Sequence, residues 1–166
     1  MHKERALKSQ SKHLVSVYVQ DGPGVSIRIA LVFARRGYNI ESFVGSETNK
    51  PGFSLVNIVA SGDQEVLHQI INQLNRLVNV LEAREIDPKQ TLQRELVLFK
   101  VNVDAEQRPE AVMIAQAAGC EIIEVLPEYI SLQCVGTSEK IDGVVRIFSD
   151  FGIRELMRTG KVFLSR

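Results

Sequence analysis

Residues 13–42 read HLVSVYVQDGPGVSIRIALVFARRGYNIES, and the hydrophobic period changes twice along them. Alternating apolar residues over 13–19 predict a β-strand, and the Asp-Gly-Pro-Gly cluster at 21–24 predicts a turn. Apolar residues over 25–36 then follow helical spacing, and Gly37 is of the residue type that commonly ends a helix. A second strand is expected over 40–47. The stretch therefore predicts a β-α-β order with short connections.

The same alternation of strand and helix patterns continues along the rest of the chain. After a turn at 49–52, a strand over 53–60, a helix with apolar residues from 66 to 77 and a strand over 78–86 complete a β-α-β-β-α-β order. Polar residues 87–93, around Pro88, predict a linker. The order then recurs within 94–166, with expected strands at 95–103, 120–126, 129–135 and 153–164 and helices at 109–118 and 138–151.

The repeated order predicts an α+β fold made of two ferredoxin-like βαββαβ domains in tandem, at 13–86 and 94–166. In each domain two helices cover one face of a four-stranded antiparallel sheet. A unit of about 75 residues is marginally stable alone, and the strand at 53–60 is apolar on both of its faces. We therefore expect the chain to associate through sheet edges, sheet faces or both.

Composition excludes several classes of protein. The 166 residues carry 20 Lys and Arg against 20 Asp and Glu, whereas a general binder of nucleic acid or membrane surfaces needs a basic excess. No apolar run approaches the roughly 18 residues that cross a bilayer, and two cysteines cannot form a disulfide framework. Residues 1–12 are polar and mildly basic and predict a flexible arm, with a trimmed transit segment as the alternative.

Catalytic motifs are missing from the sequence. It contains no nucleophile elbow, P-loop, complete dinucleotide fingerprint or HExxH, and its three histidines lie far apart. We therefore predict no catalytic residue, no metal site and no cofactor. Pairing the hairpin outward from its turn places Cys120 near Val135 and Cys134 near Glu121, so the two thiols are expected on opposite faces, as small apolar fillers.

The most informative segment is the loop at 20–25. Glycine lets the backbone approach a ligand closely, and the following helix offers free N–H groups and the positive end of its dipole to a carboxylate or phosphate. Asp21 could accept hydrogen bonds from an ammonium group. These features together suit a free amino acid, and the alternative that the same residues only form a tight turn remains open.

At this loop and the run after it the sequence resembles a known family, the regulatory (small) subunits of acetolactate synthase, also called acetohydroxyacid synthase. The similarity lies in DGPGV at 21–25, RIA at 28–30 and FARRGYNIES at 33–42. It continues at 66–67, 94–96, 136–138, in QLNRLVNVL at 73–81 and in RTGK at 158–161, and so covers about 13–166. The RRGYNIES run with these later matches is highly specific.

The resemblance implies that the first domain is an ACT domain and that the protein is noncatalytic. It implies that the chain binds and activates a thiamine-diphosphate-dependent catalytic (large) subunit and confers feedback inhibition by branched-chain amino acids, chiefly valine. The effector is expected between the ACT domains of a homodimer. The implied contacts are Asp21, Gly22, Gly24 and Val25 of one chain with Asn39 and Ile40 of the other.

One position departs from the family pattern. The bacterial pattern usually has Asn where Asp21 stands; Asp keeps the acceptor oxygens, adds a negative charge and loses the amide donors. The expected location is the cytoplasm, or a plastid for a photosynthetic eukaryote.

Two other functions are disfavoured. A stand-alone amino-acid-sensing ACT regulator is disfavoured by the absence of a basic patch. An enzyme of ferredoxin-like fold is disfavoured by the absence of an acid, base and nucleophile cluster.

Overall fold

The computed structural model describes residues 11–166. The first ten residues of the predicted arm, on which the transit-segment alternative also depends, lie outside the described residues. The chain divides into two units: residues 11–92 together with Leu164–Arg166, and Gln93–Phe163. A short 3₁₀ helix, Pro88–Gln90, and the first residues of a strand occupy the segment in which the linker was expected.

The first unit has the predicted β-α-β-β-α-β order, and its four strands pair antiparallel in the order β2-β3-β1-β4. Its elements are β1 (Ser11–Gln20), α1 (Val25–Ala34), β2 (Asn39–Glu47), β3 (Phe53–Gly62), α2 (Gln64–Leu74) and β4 (Val80–Ile86).

The core of the first unit lies between the sheet and its two helices. Alternate residues of β1 and β3 face the helices, and α1 contributes Ile29 and Phe33, both without solvent exposure. Tyr38 closes one end of this core, and its hydroxyl donates a 2.8 Å hydrogen bond to the carbonyl oxygen of Asp63. The predicted periods therefore correspond to the buried faces of the strands and helices.

The second unit repeats the architecture, with strands ordered β6-β7-β5-β8 and a short additional strand, β9, paired to β5. Its elements are β5 (Thr91–Asn102), α3 (Arg108–Ala117), β6 (Glu121–Val125), β7 (Tyr129–Gly136), α4 (Ser138–Ser149), β8 (Ile153–Arg158) and β9 (Val162–Ser165). The two tandem ferredoxin-like domains of the sequence prediction are thus confirmed.

The single strand predicted over 153–164 is wrong, because the chain breaks it into β8 and β9. At the break, the Thr159 hydroxyl accepts a 3.1 Å hydrogen bond from the N–H of Leu96, in place of a ladder carbonyl. Gly160 follows with φ of 88°, a conformation that a continuing strand does not contain.

The prediction that the two thiols face apart is also wrong. Near its turn the hairpin pairs Val125 with Ile130, but a β-bulge at Ile123 shifts the register, so that Glu121 pairs with Gln133. The next position back, Cys120, therefore lies opposite Cys134. A shift of one residue moves a side chain to the other face of a strand, and both cysteines are buried in the same core.

This placement makes the thiols unreactive. Burial, and then the neighbouring Cys134 thiol, raise the pKa of Cys120 to about 12. Alkylating agents react with the thiolate, which is the form that burial disfavours.

We therefore expect native protein to resist iodoacetamide at pH 8 and to incorporate two labels only when denatured, as measured by intact-protein mass spectrometry. Because the pKa of Cys120 is raised, labelling of this thiol should stay slow as the pH rises from 7 to 9. Complete labelling of the native chain at pH 8 would contradict the placement of the pair in the core.

Candidate functional site

The loop at 21–24 is fixed by backbone hydrogen bonds on both sides. The N–H of Gln20 donates to the carbonyl oxygen of Asn79 at 2.8 Å, and the N–H of Asp21 donates to that of Gly52 at 2.9 Å. Three connections, β1–α1, β2–β3 and α2–β4, therefore meet at one end of the first sheet. The loop is held by the structure around it, although Asp21 and Gly24 are exposed.

Two glycines shape this loop in different ways. Gly24 has φ of 75°, where L side chains are strained, yet a Cβ there would meet no atom within 4 Å. A Cβ on Gly22 would lie only 3.2 Å from Nδ2 of Asn79. Gly24 is thus favoured by its backbone conformation and borders open space, whereas a side chain at Gly22 would have to displace Asn79 by a few tenths of an ångström.

Helix α1 starts at this loop without a side-chain cap. Gly24 is its N-cap residue and offers no side-chain acceptor, and the N–H of Val25 bonds the carbonyl oxygen of Gly22 at a long 3.3 Å. Helix α2 differs, because the Asp63 carboxylate accepts from the N–H groups of Glu65 and Val66. The N-terminus of α1 therefore keeps backbone donors and positive dipole potential for an anion.

Asn79 is a residue of this region that the sequence reasoning did not assign to the site. Its side-chain oxygen accepts a 2.7 Å hydrogen bond from the Arg28 guanidinium, and its side-chain nitrogen lies against Gly22. Arg28 lies one turn into α1 and adds a positive charge beside the helix N-terminus. Only the strand order could have indicated Asn79, because β4 begins at the end of the sheet where β1 finishes.

The other predicted contacts, Asn39 and Ile40, lie at the opposite end of the sheet. Asn39 pairs with Ser61, and Ser61 pairs with Lys12 near the start of β1, whereas the loop follows Gln20 at its end. At ~3.3 Å per residue the two groups are roughly 26 Å apart along β1. A single chain therefore does not bring Asn39 and Ile40 to the loop.

The equivalent loop of the second unit is closed by its own acid. Between β5 and α3, the carboxylate of Asp104 accepts from the N–H groups of Glu106 and Gln107 at 2.9 and 2.8 Å. Both groups lie in the turn that leads into α3, and the first turn of α3 contains Pro109, which has no N–H to offer an anion. Of the two equivalent loops, the one in the first unit is therefore the better candidate for ligand binding.

The buried ionisable side chains have structural partners. His13 bonds Glu85 at 2.9 Å and the carbonyl oxygen of Gly62 at 3.3 Å. Glu95 accepts a double hydrogen bond from Arg158, and this bond is the main reason that the pKa of Arg158 is raised. Over residues 11–166 no three His, Cys, Asp or Glu side chains are grouped as metal ligands, and no helix has the length and apolar character to span a bilayer.

Comparison with known proteins identifies both units. Residues 15–82 match the family model described as "AHAS small subunit-like ACT domain", and residues 94–166 match "Small subunit of acetolactate synthase". The fold and its open β1–α1 loop thus belong to an ACT-domain protein with a second ferredoxin-like unit.

Similarity to whole proteins gives the family. A probable acetolactate synthase small subunit of Methanothermobacter thermautotrophicus is 39% identical over 155 residues, which cover 93% of this chain and 92% of that protein. The acetolactate synthase small subunit of Mycobacterium bovis is 39% identical over 158 residues, 95% and 94% of the two chains. The crystal structure of the Thermotoga maritima small subunit matches with a TM-score of 0.86 and 34% identity, over 94% of this chain and 98% of that one. The chain belongs to the family of acetolactate synthase small subunits.

Proposed function

We propose that this chain is the noncatalytic regulatory subunit of a thiamine-diphosphate-dependent acetolactate synthase. It would activate the catalytic subunit and confer feedback inhibition by a branched-chain amino acid, most strongly valine. The observation that carries the proposal is the match of both units, in order, to this family. The uncapped start of α1 beside Asp21 supports the effector part.

The effector chemistry follows from the groups around the loop. The donors at the start of α1 and the Arg28 guanidinium suit a carboxylate, and Asp21 suits an ammonium group. Val25, which is buried, and Ile40 of a second chain would supply apolar surface to an aliphatic side chain. The set fits a zwitterion with a small branched side chain, and no group in it is suited to a catalytic step.

Pairing of two β2 edges would complete this site. Strand β2 lies at one edge of the sheet, and its end, Glu47, lies at the same end of the sheet as the loop, because Glu47 pairs with Ser54 and Ser54 with Val19. When two copies of an edge strand pair antiparallel about a twofold axis, the start of one meets the end of the other. Asn39 and Ile40 of one chain would then lie beside the loop of its partner.

Activation is tested with the cognate catalytic subunit. The isolated chain should show no acetolactate synthase activity, because within residues 11–166 no three His, Cys, Asp or Glu side chains are grouped to hold the metal that thiamine diphosphate requires. Added to the catalytic subunit, it should raise turnover several-fold and make the activity sensitive to valine, with leucine and isoleucine titrated in parallel. Activity of the purified chain alone, or no effect on the catalytic subunit, would disprove the proposed function.

The loop is tested with Gly24→Asp. The added carboxylate would repel the effector's own carboxylate, so we expect valine inhibition to be lost, with the half-inhibiting concentration raised roughly 100-fold or more, while activation persists. The positive φ makes the substitution cost about 1–2 kcal/mol in folding, but open space surrounds the position. The measurements are calorimetric valine binding and a valine titration of the reconstituted enzyme.

The matched control is Gly24→Asn, which has nearly the same shape and tolerates positive φ but carries no charge. It should weaken valine binding at least ~10-fold less than Asp does. Equal losses from the two variants would show that bulk or backbone strain, rather than charge, removes the effector. Normal inhibition of the Gly24→Asp enzyme would place the effector elsewhere.

Sharing of the site between chains is tested by mixing two defective variants. Gly24→Asp disables the loop, and Asn39→Ala disables the β2 contact, so each homodimer should bind valine poorly. A heterodimer contains one site with both parts intact, and random exchange should therefore restore ~25% of wild-type sites. Calorimetry after mixing, with sedimentation equilibrium to establish the dimer, measures this recovery. A site built within one chain would give none.

A further inference from the structure

The helical layer of the first unit carries a concentrated positive charge that the effector site does not use in full. Residues 25–37 contain three arginines and no Asp or Glu, and residues 66–81 contain one arginine and no Asp or Glu. The four side chains, Arg28, Arg35, Arg36 and Arg76, are exposed. The whole chain is neutral, so this surface, called here the arginine face, departs from the average of the molecule.

Two arginines of this face are held by neutral groups. Arg28 donates to Asn79 at 2.7 Å, and Arg36 donates to Gln69 at 2.5 Å and to Gln73 at 3.3 Å. Within residues 11–166, no ion pair joins any of the four arginines to a carboxylate. Neutral partners orient a guanidinium while leaving its charge uncompensated, which prepares it to bind a carboxylate.

Elsewhere within residues 11–166 some cations are paired with acids, whereas others, including Lys89, Arg94 and Arg146, have no carboxylate partner. Lys100 bonds Glu155 at 2.8 Å, and Lys12 bonds Glu41 at 2.7 Å. Arg158 is paired with both Glu95 and Asp142. The arginine face is therefore distinguished by the grouping of four unpaired arginines on segments 25–37 and 66–81, which contain no acid.

Apolar side chains lie among these arginines. Ile27 and Leu31, one helical turn apart on α1, are 67% and 43% exposed, and Val78, next to Asn79, is 99% exposed. Between the ends of α1 and α2 the surface forms a groove lined by Arg36, Gln69, Asn72, Gln73, Arg76 and Leu77. Apolar residues with arginines around them are the composition of protein–protein interfaces.

We propose that the arginine face is the surface by which this chain docks on a partner protein that presents carboxylates around an apolar patch. A second copy using the same face would oppose four arginines to four, which repel. Nucleic acid would leave Ile27 and Leu31 against phosphates without an apolar contact. If the proposed function holds, on which this assignment rests, the partner is the catalytic subunit.

The position of the face gives it a connection to the effector loop. Arg28 belongs to the face and lies in the first turn of α1, and Asn79 contacts both Arg28 and the Gly22 segment. An effector carboxylate at the start of α1 would add negative charge beside the face and weaken its attraction for an acidic partner. Effector and partner would therefore bind with negative coupling, and the coupling is reciprocal.

The test measures binding of the full chain to the cognate catalytic subunit by calorimetry and by activation. Arg35→Glu/Arg76→Glu should raise the dissociation constant at least ~100-fold and flatten its dependence on salt, whereas Arg35→Lys/Arg76→Lys should stay within ~5-fold. Ile27→Gln should weaken binding at least ~10-fold without removing an arginine or adding a charge near the effector loop. Arg146→Glu, an exposed charge reversal on α4, should remain within ~2-fold.

The outcomes separate this inference from the proposed function. Wild-type chain that neither binds nor activates the catalytic subunit overturns the proposed function and this assignment with it. Wild-type association that survives Arg35→Glu/Arg76→Glu and Ile27→Gln overturns the docking face alone. Valine binding and thermal unfolding of each variant should match those of the wild type. If a variant loses both valine binding and subunit binding, it damages the fold or the effector site. That result would overturn the face as a separate surface. Saturable binding of inorganic phosphate that is lost in Arg35→Glu/Arg76→Glu, with association unchanged, would make it a small-anion site instead.

Discussion

The backbone hydrogen bonds on both sides of the last residues of β1 are the constraint on which the first unit depends. Gln20 bonds the α2–β4 connection, and Asp21 bonds the β2–β3 turn. Because β1 is a central strand, these bonds fix where the chain leaves the sheet and therefore where α1 begins. The open helix start, the position of Asp21 and the direction of the arginine face all follow from that one junction. A frayed edge strand could not hold them in register.

The two units show how one fold can carry different chemistry at the same point. They share the order of elements, and even the β-bulges recur at equivalent positions, between Ile40 and Ser42 in β2 and between Ile122 and Glu124 in β6. Their β1–α1 and β5–α3 loops differ in one physical respect. In the second unit Asp104 occupies the N–H groups of the turn that leads into α3, whereas Gly24 in the first has no side chain with which to do so. The fold sets the position of the loop, and a single side-chain acceptor decides whether the N–H groups of the loop are bound by the chain itself or stay available to a ligand.

Sequence periodicity was sufficient for the fold, because the alternation in β1 and β5 and the helical spacing in α1 and α4 record which face is buried. The periodicity did not predict the positions at which the backbone is irregular. The bulge at Ile123 reverses the facing of Cys120, and no residue type in that hairpin marks it. The end of β8 depends on the Thr159 hydroxyl replacing a backbone acceptor, which is a tertiary contact. Asn79 was missed for the same reason, since its role depends on two segments distant in sequence. The contribution proposed for Asn39 is not visible in a single chain, because within one chain Asn39 lies far from the loop.

The burial of α1 limits how an effector could act on a partner. Ile29 and Phe33 have no solvent exposure, so sliding α1 over the sheet would open a gap in a close-packed core. Such cores resist small continuous displacements, and a signal that required α1 to move would have to break contacts on its inner side. The outer side requires no movement. A carboxylate bound at the helix start would act directly on the charge of Arg28, and an effector that also contacts Asn39 of a second chain, as proposed, would act on how two first units are held together. This structure therefore favours two routes from the effector loop to a partner. Within one chain the route is the electrostatic effect on Arg28, and between two chains it is a change in how their first units pair. Helix α1 stays fixed in both.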